Sequence, residues 1–230
     1  MIDGDFSGLI RGVTVWALPV LLAITLHEAA HGWAASRLGD PTARLMGRVT
    51  LNPFRHVDPF GTVILPLLLL LIQAPFLFGY AKPVPVNFSR LNNPRRDMAL
   101  VALAGPASNI LLAGLAGLAF HLIDVVPASM ATWLTENLQN LFLLNLVLAV
   151  FNMLPIPPLD GGRILVSVLP DQLAWKVARM ERAGLFVVIG VLFLLPFIAK
   201  QFGFTLDVAG FLIWGPVELL AQVISTITGH

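Results

Sequence analysis

The run His27-Glu28-Ala29-Ala30-His31 sets two imidazoles four residues apart, with a carboxylate beside the first. On a helix, positions i and i+4 share a face, so both rings can reach one ion. Zinc accepts two neutral histidine nitrogens and a carboxylate, and keeps a further position for water. The ion lowers the pKa of that water towards about 7, which supplies a hydroxide nucleophile at neutral pH. Glu28 is placed to take the water's proton and to hand it later to a leaving amine. The pattern is short and arises by chance on soluble helices. Here it lies in an apolar run, where ionisable residues are costly and are functional by default.

The third ligand must come from elsewhere in the chain. The segment Asn152-Met153-Leu154-Pro155-Ile156-Pro157-Pro158-Leu159-Asp160-Gly161-Gly162 offers Asp160. Its prolines end a helix and force an extended run, and its two glycines let backbone pass close to the carboxylate. The competing reading of Asp160 is an ordinary helix cap. Three further residues have two readings each. Asn109, one helical step from Gly105, either contacts the substrate backbone or the developing oxyanion, or makes an interhelical hydrogen bond that holds a bundle. Asn152 either fixes the loop before Asp160 or touches substrate. His56 either gates or supports the site, or is a solvated loop histidine. Gly105-Pro106 permits close helix approach.

These motifs together resemble the site-2 protease family of intramembrane zinc metalloproteases. The resemblance rests on HEAAH in a first apolar run, GRVTLNPFRHVDPFGT after it, Ala104-Gly105-Pro106-Ala107-Ser108-Asn109 and NMLPIPPLDGG, and it covers roughly residues 20–170. It implies one zinc ion held by His27, His31 and Asp160, with Glu28 as general base. It also implies hydrolysis of a peptide bond in or near a membrane-spanning segment of a substrate protein. No inserted PDZ-like domain and no C-terminal nucleotide-sensing domain is evident, so the likeness is to the compact members.

The elements that must position these residues are membrane helices. Of the 230 residues 57% are hydrophobic and 12% charged, with a mean hydropathy of +0.84. Soluble domains sit near 25% charged, so lipid must solvate much of this surface. There are no cysteines, which excludes thiolate zinc clusters and a cysteine nucleophile. Apolar runs occupy residues 9–36, 62–80, 98–123, 138–154, 183–199 and 207–227, against about 20 residues needed for a span. If 62–80 dips in and returns, the 14 Lys and Arg residues divide twelve against two, with only Arg11 and Lys200 on the poorer side. That asymmetry fits the positive-inside rule. Parity agrees: His27 and His31 end the first run and Asp160 follows 138–154, so one crossing must separate those two helices.

The expected fold is therefore an all-α polytopic membrane protein. It has five transmembrane helices, one re-entrant hairpin (62–80, turning at Gln73-Ala74-Pro75), and short β-strands near the site at Arg48–Leu51 and Val84–Val86. Residues 1–230 read as one membrane-embedded unit, with a core over about 9–170 and C-terminal helices over about 183–227. The N-terminus is expected outside and the C-terminus in the cytoplasm. The zinc is expected in the cytoplasmic third of the bilayer, since residue 10 to His27 spans about 25 Å of helix. The expected partners are the lipid bilayer and a substrate with a single transmembrane segment, with no nucleic acid. Two alternatives remain at this point: a membrane metal-ion transporter, and a scaffold with a purely structural metal.

Overall fold

The first apolar run folds as helix α1, Phe6–Arg37. Most of its residues are aliphatic or aromatic, the polar ones fall mainly at Arg11, Thr14 and the HEAAH cluster, and the internal Pro19 is buried. The computed structural model describes residues 6–72 and 79–230. After α1 come a short α2 (Thr42–Leu45) and a loop, then wide helical turns at Pro59–Ile64 that lead into α3 (Leu65–Leu71). Helix α4 (Pro94–Ala119) starts with Pro94 in its first turn, where a missing N–H costs nothing. Asp97 caps that start by accepting from the Asn93 N–H at 2.7 Å. Helix α5 is Ala128–Asn152, α6 is Asp160–Val168 and α7 is Asp171–Arg179. Helix α8 (Glu181–Ile189) runs through Gly190–Leu194 into α9 (Leu195–Gln201), and Gly210–Trp214 leads into α10 (Gly215–Thr228).

Helices α1, α4 and α5 pack on one another, α6 packs on α4, and α10 lies against α4 and α5. Polar ties set the register of α1 on α5. Arg11 pairs with Glu136, Trp133 Nε1 donates to Thr14 Oγ1 at 3.0 Å, and Asn140 Nδ2 donates to the Val15 carbonyl at 2.8 Å. Helices α1 and α5 therefore run in the same direction, and α4 runs between them in the other.

Three expectations change. First, four helices are long and apolar enough to span a membrane, at Arg11–Arg37, Pro94–Val125, Ala128–Asn152 and Gly210–Thr228. The run 183–199 is not a fifth among the described residues. Within it, Phe186–Gln201 is a shorter apolar helix, part of the helical stretch from Glu181 to Gln201. Second, α10 points the other way from the five-span expectation. His121, just past α4, meets the Thr228 carbonyl at 2.6 Å, and Ile213 shares an apolar cluster with Val147 and Val150 near the end of α5. The last turn of α10 and the first turns of α1 thus lie on one face.

Third, no strand forms among the described residues. A strand needs a neighbouring ladder, and the extended segment after residue 79 spends its amides on scattered partners instead. Tyr80 donates to the Gly61 carbonyl, Lys82 to the His56 carbonyl, Val84 to the Glu28 carboxylate and Asn87 to Asp40. The same contacts bring Tyr80 back to Gly61, where the helix of 59–71 begins. Its ring occupies the space that a Cβ on Gly61 would fill, 2.4 Å from Tyr80 Cε2. The expected turn at Gln73-Ala74-Pro75 lies outside the described residues.

Candidate metal centre

The centre is built where α1, α4 and α6 meet. Helix α1 presents His27 and His31 one turn apart, with ring centroids 4.6 Å apart and nearly perpendicular. Helix α4 faces them with Val101, Gly105 and Asn109, each four residues from the next. Gly105 has to be glycine: a Cβ there would lie 2.4 Å from His31 Nε2 and 2.6 Å from His27 Cε1. Asp160 opens α6 after the proline run. Its approach also depends on glycine, since a Cβ on Gly161 would sit 2.2 Å from the Met153 carbonyl oxygen and one on Gly162 2.3 Å from the Pro157 nitrogen.

His27, His31 and Asp160 are all buried, and their ligand atoms lie within 4.8 Å of one another. Both Nδ1 atoms are committed outward. His31 Nδ1 is 2.7 Å from the Val101 carbonyl, which can only accept, so the hydrogen is on Nδ1. His27 Nδ1 is 2.6 Å from Asn109 Oδ1. With Nδ1 protonated on each neutral ring, both Nε2 atoms carry bare lone pairs. Those lone pairs face one another at 3.0 Å, and each Nε2 is 3.3 Å from Asp160 Oδ2. That oxygen is buried and accepts no hydrogen bond.

Three bare acceptors converging on one point repel each other, and a buried unpaired oxygen costs about 1–3 kcal/mol. A divalent cation turns that repulsion into coordination, and spacings of this size suit zinc bonds of about 2.0–2.2 Å. The donor set, two imidazoles and one carboxylate, is one that zinc accepts. The residues fit the ion. The second Asp160 oxygen, Oδ1, is 3.6 Å from Arg163 Nη1, which steadies the carboxylate from the open side.

Glu28 lies outside this triad. Its Oε2 accepts the Val84 N–H at 2.7 Å, so the extended segment runs past it. Arg48 holds the same segment by donating to the Lys82 carbonyl at 2.7 Å. Gly32, one turn after Glu28, leaves room for Val49, Ala43 and Val84, all 3.0–3.1 Å from where its Cβ would be. His56 is not a solvated loop residue. It is 1% exposed, its Nε2 is 3.0 Å from the Thr50 carbonyl, and it is not one of the three grouped ligands. Asn152 donates to the Leu148 carbonyl of its own helix at 3.0 Å. Asn109 is wholly buried, with its carbonyl on His27 and its amide nitrogen on Asn145 Oδ1 at 2.7 Å.

Asn145 escaped the sequence reading. The available signal was the recurrence of asparagine along the helix, at 137, 140, 145 and 152, the last two within its apolar half.

The sequence matches the profile of Peptidase family M50 over residues 15–126 and 118–197. It is 39% identical over 183 residues to a Bacillus subtilis (strain 168) protein named "Putative zinc metalloprotease YwhC", covering 78% of this chain and 80% of that one. It is 31% identical over 183 residues to Rip2 of Mycolicibacterium smegmatis, covering 79% and 67% of the two chains. It is 35% identical over 176 residues to Rip2 of Mycobacterium tuberculosis (strain H37Rv), covering 76% and 65%. Both Rip2 proteins carry the same zinc metalloprotease description. No solved structure matches the chain.

Proposed function

The chain belongs to peptidase family M50, the site-2 proteases, and from that premise we propose that it is an intramembrane endopeptidase which cuts a peptide bond in or near a transmembrane segment of another membrane protein. The observation that carries the reading is the convergence of His27 Nε2, His31 Nε2 and the unpartnered Asp160 Oδ2 at the end of an apolar helix. A metal-ion transporter is not favoured, because the family and its relatives are peptidases.

His27, His31 and Asp160 would hold one zinc ion, which supplies Lewis-acid and water-activating chemistry when bound. Glu28, next to His27, takes the proton from the attacking water and delivers it to the leaving nitrogen. To do so it exchanges its hydrogen bond from the Val84 N–H for one from water. Gly105 and the close α1–α4 contact exclude bulk water from the back of the site, which strengthens the electrostatics of the front.

The membrane arrangement follows from charge. Every Lys and Arg except Arg11 lies between residues 37 and 96 or between 163 and 200. Those stretches join spans at the end of the bundle that carries the triad. With four spans that face is cytoplasmic by the positive-inside rule, and the thirteen-to-one split is cleaner than the five-span count. The first turns of α1 and the last turn of α10 then face outside. The substrate is expected to have a single transmembrane segment, and its fragment leaves on the cytoplasmic side.

The test compares membrane proteomes of cells carrying wild type or Glu28→Gln. Truncated membrane proteins that accumulate only with Glu28→Gln, and that the purified wild-type chain cleaves in proteoliposomes, support the reading. Identical proteomes in the two strains, or accumulated fragments that purified zinc-loaded wild type does not cleave, overturn it.

A further inference from the structure

The triad leaves one question: what decides which nitrogen of His27 is bare? For His31 the main chain decides, since the Val101 carbonyl cannot donate. For His27 the partner is Asn109, whose amide could turn either end towards the ring. Turned one way, it accepts from Nδ1–H and leaves Nε2 free for an ion. Turned the other way, it donates to Nδ1 and places the hydrogen on Nε2, which abolishes the ligand.

The answer lies two helices away. Asn145 Nδ2 is 2.7 Å from the Leu141 carbonyl, one turn back on α5. That carbonyl is a pure acceptor, so the Asn145 nitrogen must face it and Asn145 Oδ1 must face Asn109. Asn109 Nδ2 donates to that oxygen at 2.7 Å, with a weaker approach to the Ala23 carbonyl of α1 at 3.4 Å. Its nitrogen is thus committed, and its Oδ1 is the end left for His27 Nδ1–H at 2.6 Å. Asn109 and Asn145 are both 0% exposed, so no water can substitute for either link. Each member of the chain has one orientation that satisfies its neighbours, and the backbone at Leu141 selects it.

We infer that Asn109 and Asn145 are positioning residues which set the His27 tautomer, so that α5 controls the metal-binding competence of a histidine on α1. Neither touches the ion or the reacting bond. The inference rests on His27 being a zinc ligand. Side-chain partners of metal-bound histidines commonly alter metal affinity 10–100-fold. The consequence is an asymmetric centre: the His31 tautomer is set by a main-chain carbonyl and does not depend on a hydrogen-bonding side chain of α4, whereas that of His27 does.

The experiment uses the full chain in detergent. Zinc affinity is measured by competition with a chromogenic chelator for wild type, Asn109→Leu, Asn109→Asp, Asn145→Leu, Asn145→Asp and His27→Ala. Ring-nitrogen NMR of the 15N-histidine-labelled apo protein reads the tautomer at a pH where the imidazoles are neutral. Asn109→Leu keeps the volume but removes the acceptor, and is expected to weaken zinc binding on the order of 10–100-fold. Its His27 signal should shift from a protonated Nδ1 to a tautomer mixture. Asn145→Leu should lower affinity less and mix the tautomers in the same direction. Asn109→Asp keeps an acceptor for His27 Nδ1–H and should hold the wild-type tautomer while losing the tie to Asn145 Oδ1. Asn145→Asp sets an oxygen against the Leu141 carbonyl and should mix the tautomers as Asn145→Leu does. If His27→Ala loses zinc while Asn109→Leu keeps wild-type affinity and tautomer, the relay is wrong and the metal reading stands. If His27→Ala binds zinc like wild type, the metal reading itself fails. Should Asn109→Leu not fold, Asn145→Leu carries the same decision through the NMR signature.

Discussion

Adding one carbon to Gly105 should disable the centre without touching a ligand. The Cβ of Gly105→Ala would lie 2.4 Å from His31 Nε2 and 2.6 Å from Cε1 of both rings, where ordinary contact begins at 3.4 Å. One ring or the other must therefore retreat by about 1 Å, whereas metal sites tolerate only about 0.2 Å in a ligand bond. The rings have little freedom to turn aside, because each Nδ1 is tied to α4 itself, at Val101 and Asn109. Relief must come from parting α1 and α4, and overpacking of this kind costs about 1–3 kcal/mol. If the bound state bears that cost, zinc affinity falls by roughly 10–100-fold, at about 1.4 kcal/mol per factor of ten. The assay is chelator competition on the solubilised chain, with thermal unfolding of the apo form alongside. Gly114→Ala is the control, since nothing lies within 4 Å of its Cβ on the same helix. Wild-type zinc affinity in Gly105→Ala would refute the close approach of α4 to the two rings.

Glu28→Gln should keep zinc at the wild-type level and lower cleavage by about 10²–10⁴-fold, the usual worth of a general base; parallel metal analysis and peptide-cleavage assays check both. Gly161→Ala drives a methyl to 2.2 Å from the Met153 carbonyl oxygen. It should lower the melting temperature and also release zinc, because Asp160 is the residue it displaces. Asp40 is buried, and burial alone would raise its pKa. Donation from Thr42 and from the Asn87 amide, with Arg90 nearby, outweighs burial and holds its carboxyl below the usual carboxylate range. Its stabilising effect should therefore be complete above about pH 4 and be lost as pH falls below that, through the lowered folded value. Melting followed from pH 6 to pH 3 should show a steeper acid decline in wild type than in Asp40→Asn; equal declines would remove Asp40 from the account. A reporter fused after residue 230 should appear on the outer face with four spans; cytoplasmic exposure would restore a fifth crossing.

The triad was legible in the sequence because its two halves carry independent signals. Helical spacing places His27 and His31 together, and crossing parity places Asp160 on their side. The role of Gly105 was half legible: a small residue implies close approach, but not what approaches. The amide chain was not legible, since Asn109 could face substrate or protein and only contacts made by α5 decide. Strands were expected at Val84–Val86 from residue type, and failed because the partners of those amides are side chains and isolated carbonyls rather than a second strand. The run 183–199 was expected as a fifth crossing from its apolar composition, and it is not among the four helices that are long and apolar enough to span. The direction of α10 was not legible either, because only the packing of its last turn against His121 and of Ile213 against the end of α5 sets it.

The central claim is that three side chains from α1 and α6 hold a single ion. Zinc per chain in the purified protein tests it most directly, measured by elemental mass spectrometry for wild type and Asp160→Ala purified side by side. One zinc per chain in the wild type and close to none in Asp160→Ala is the predicted result. Equal, stoichiometric zinc in both would contradict it.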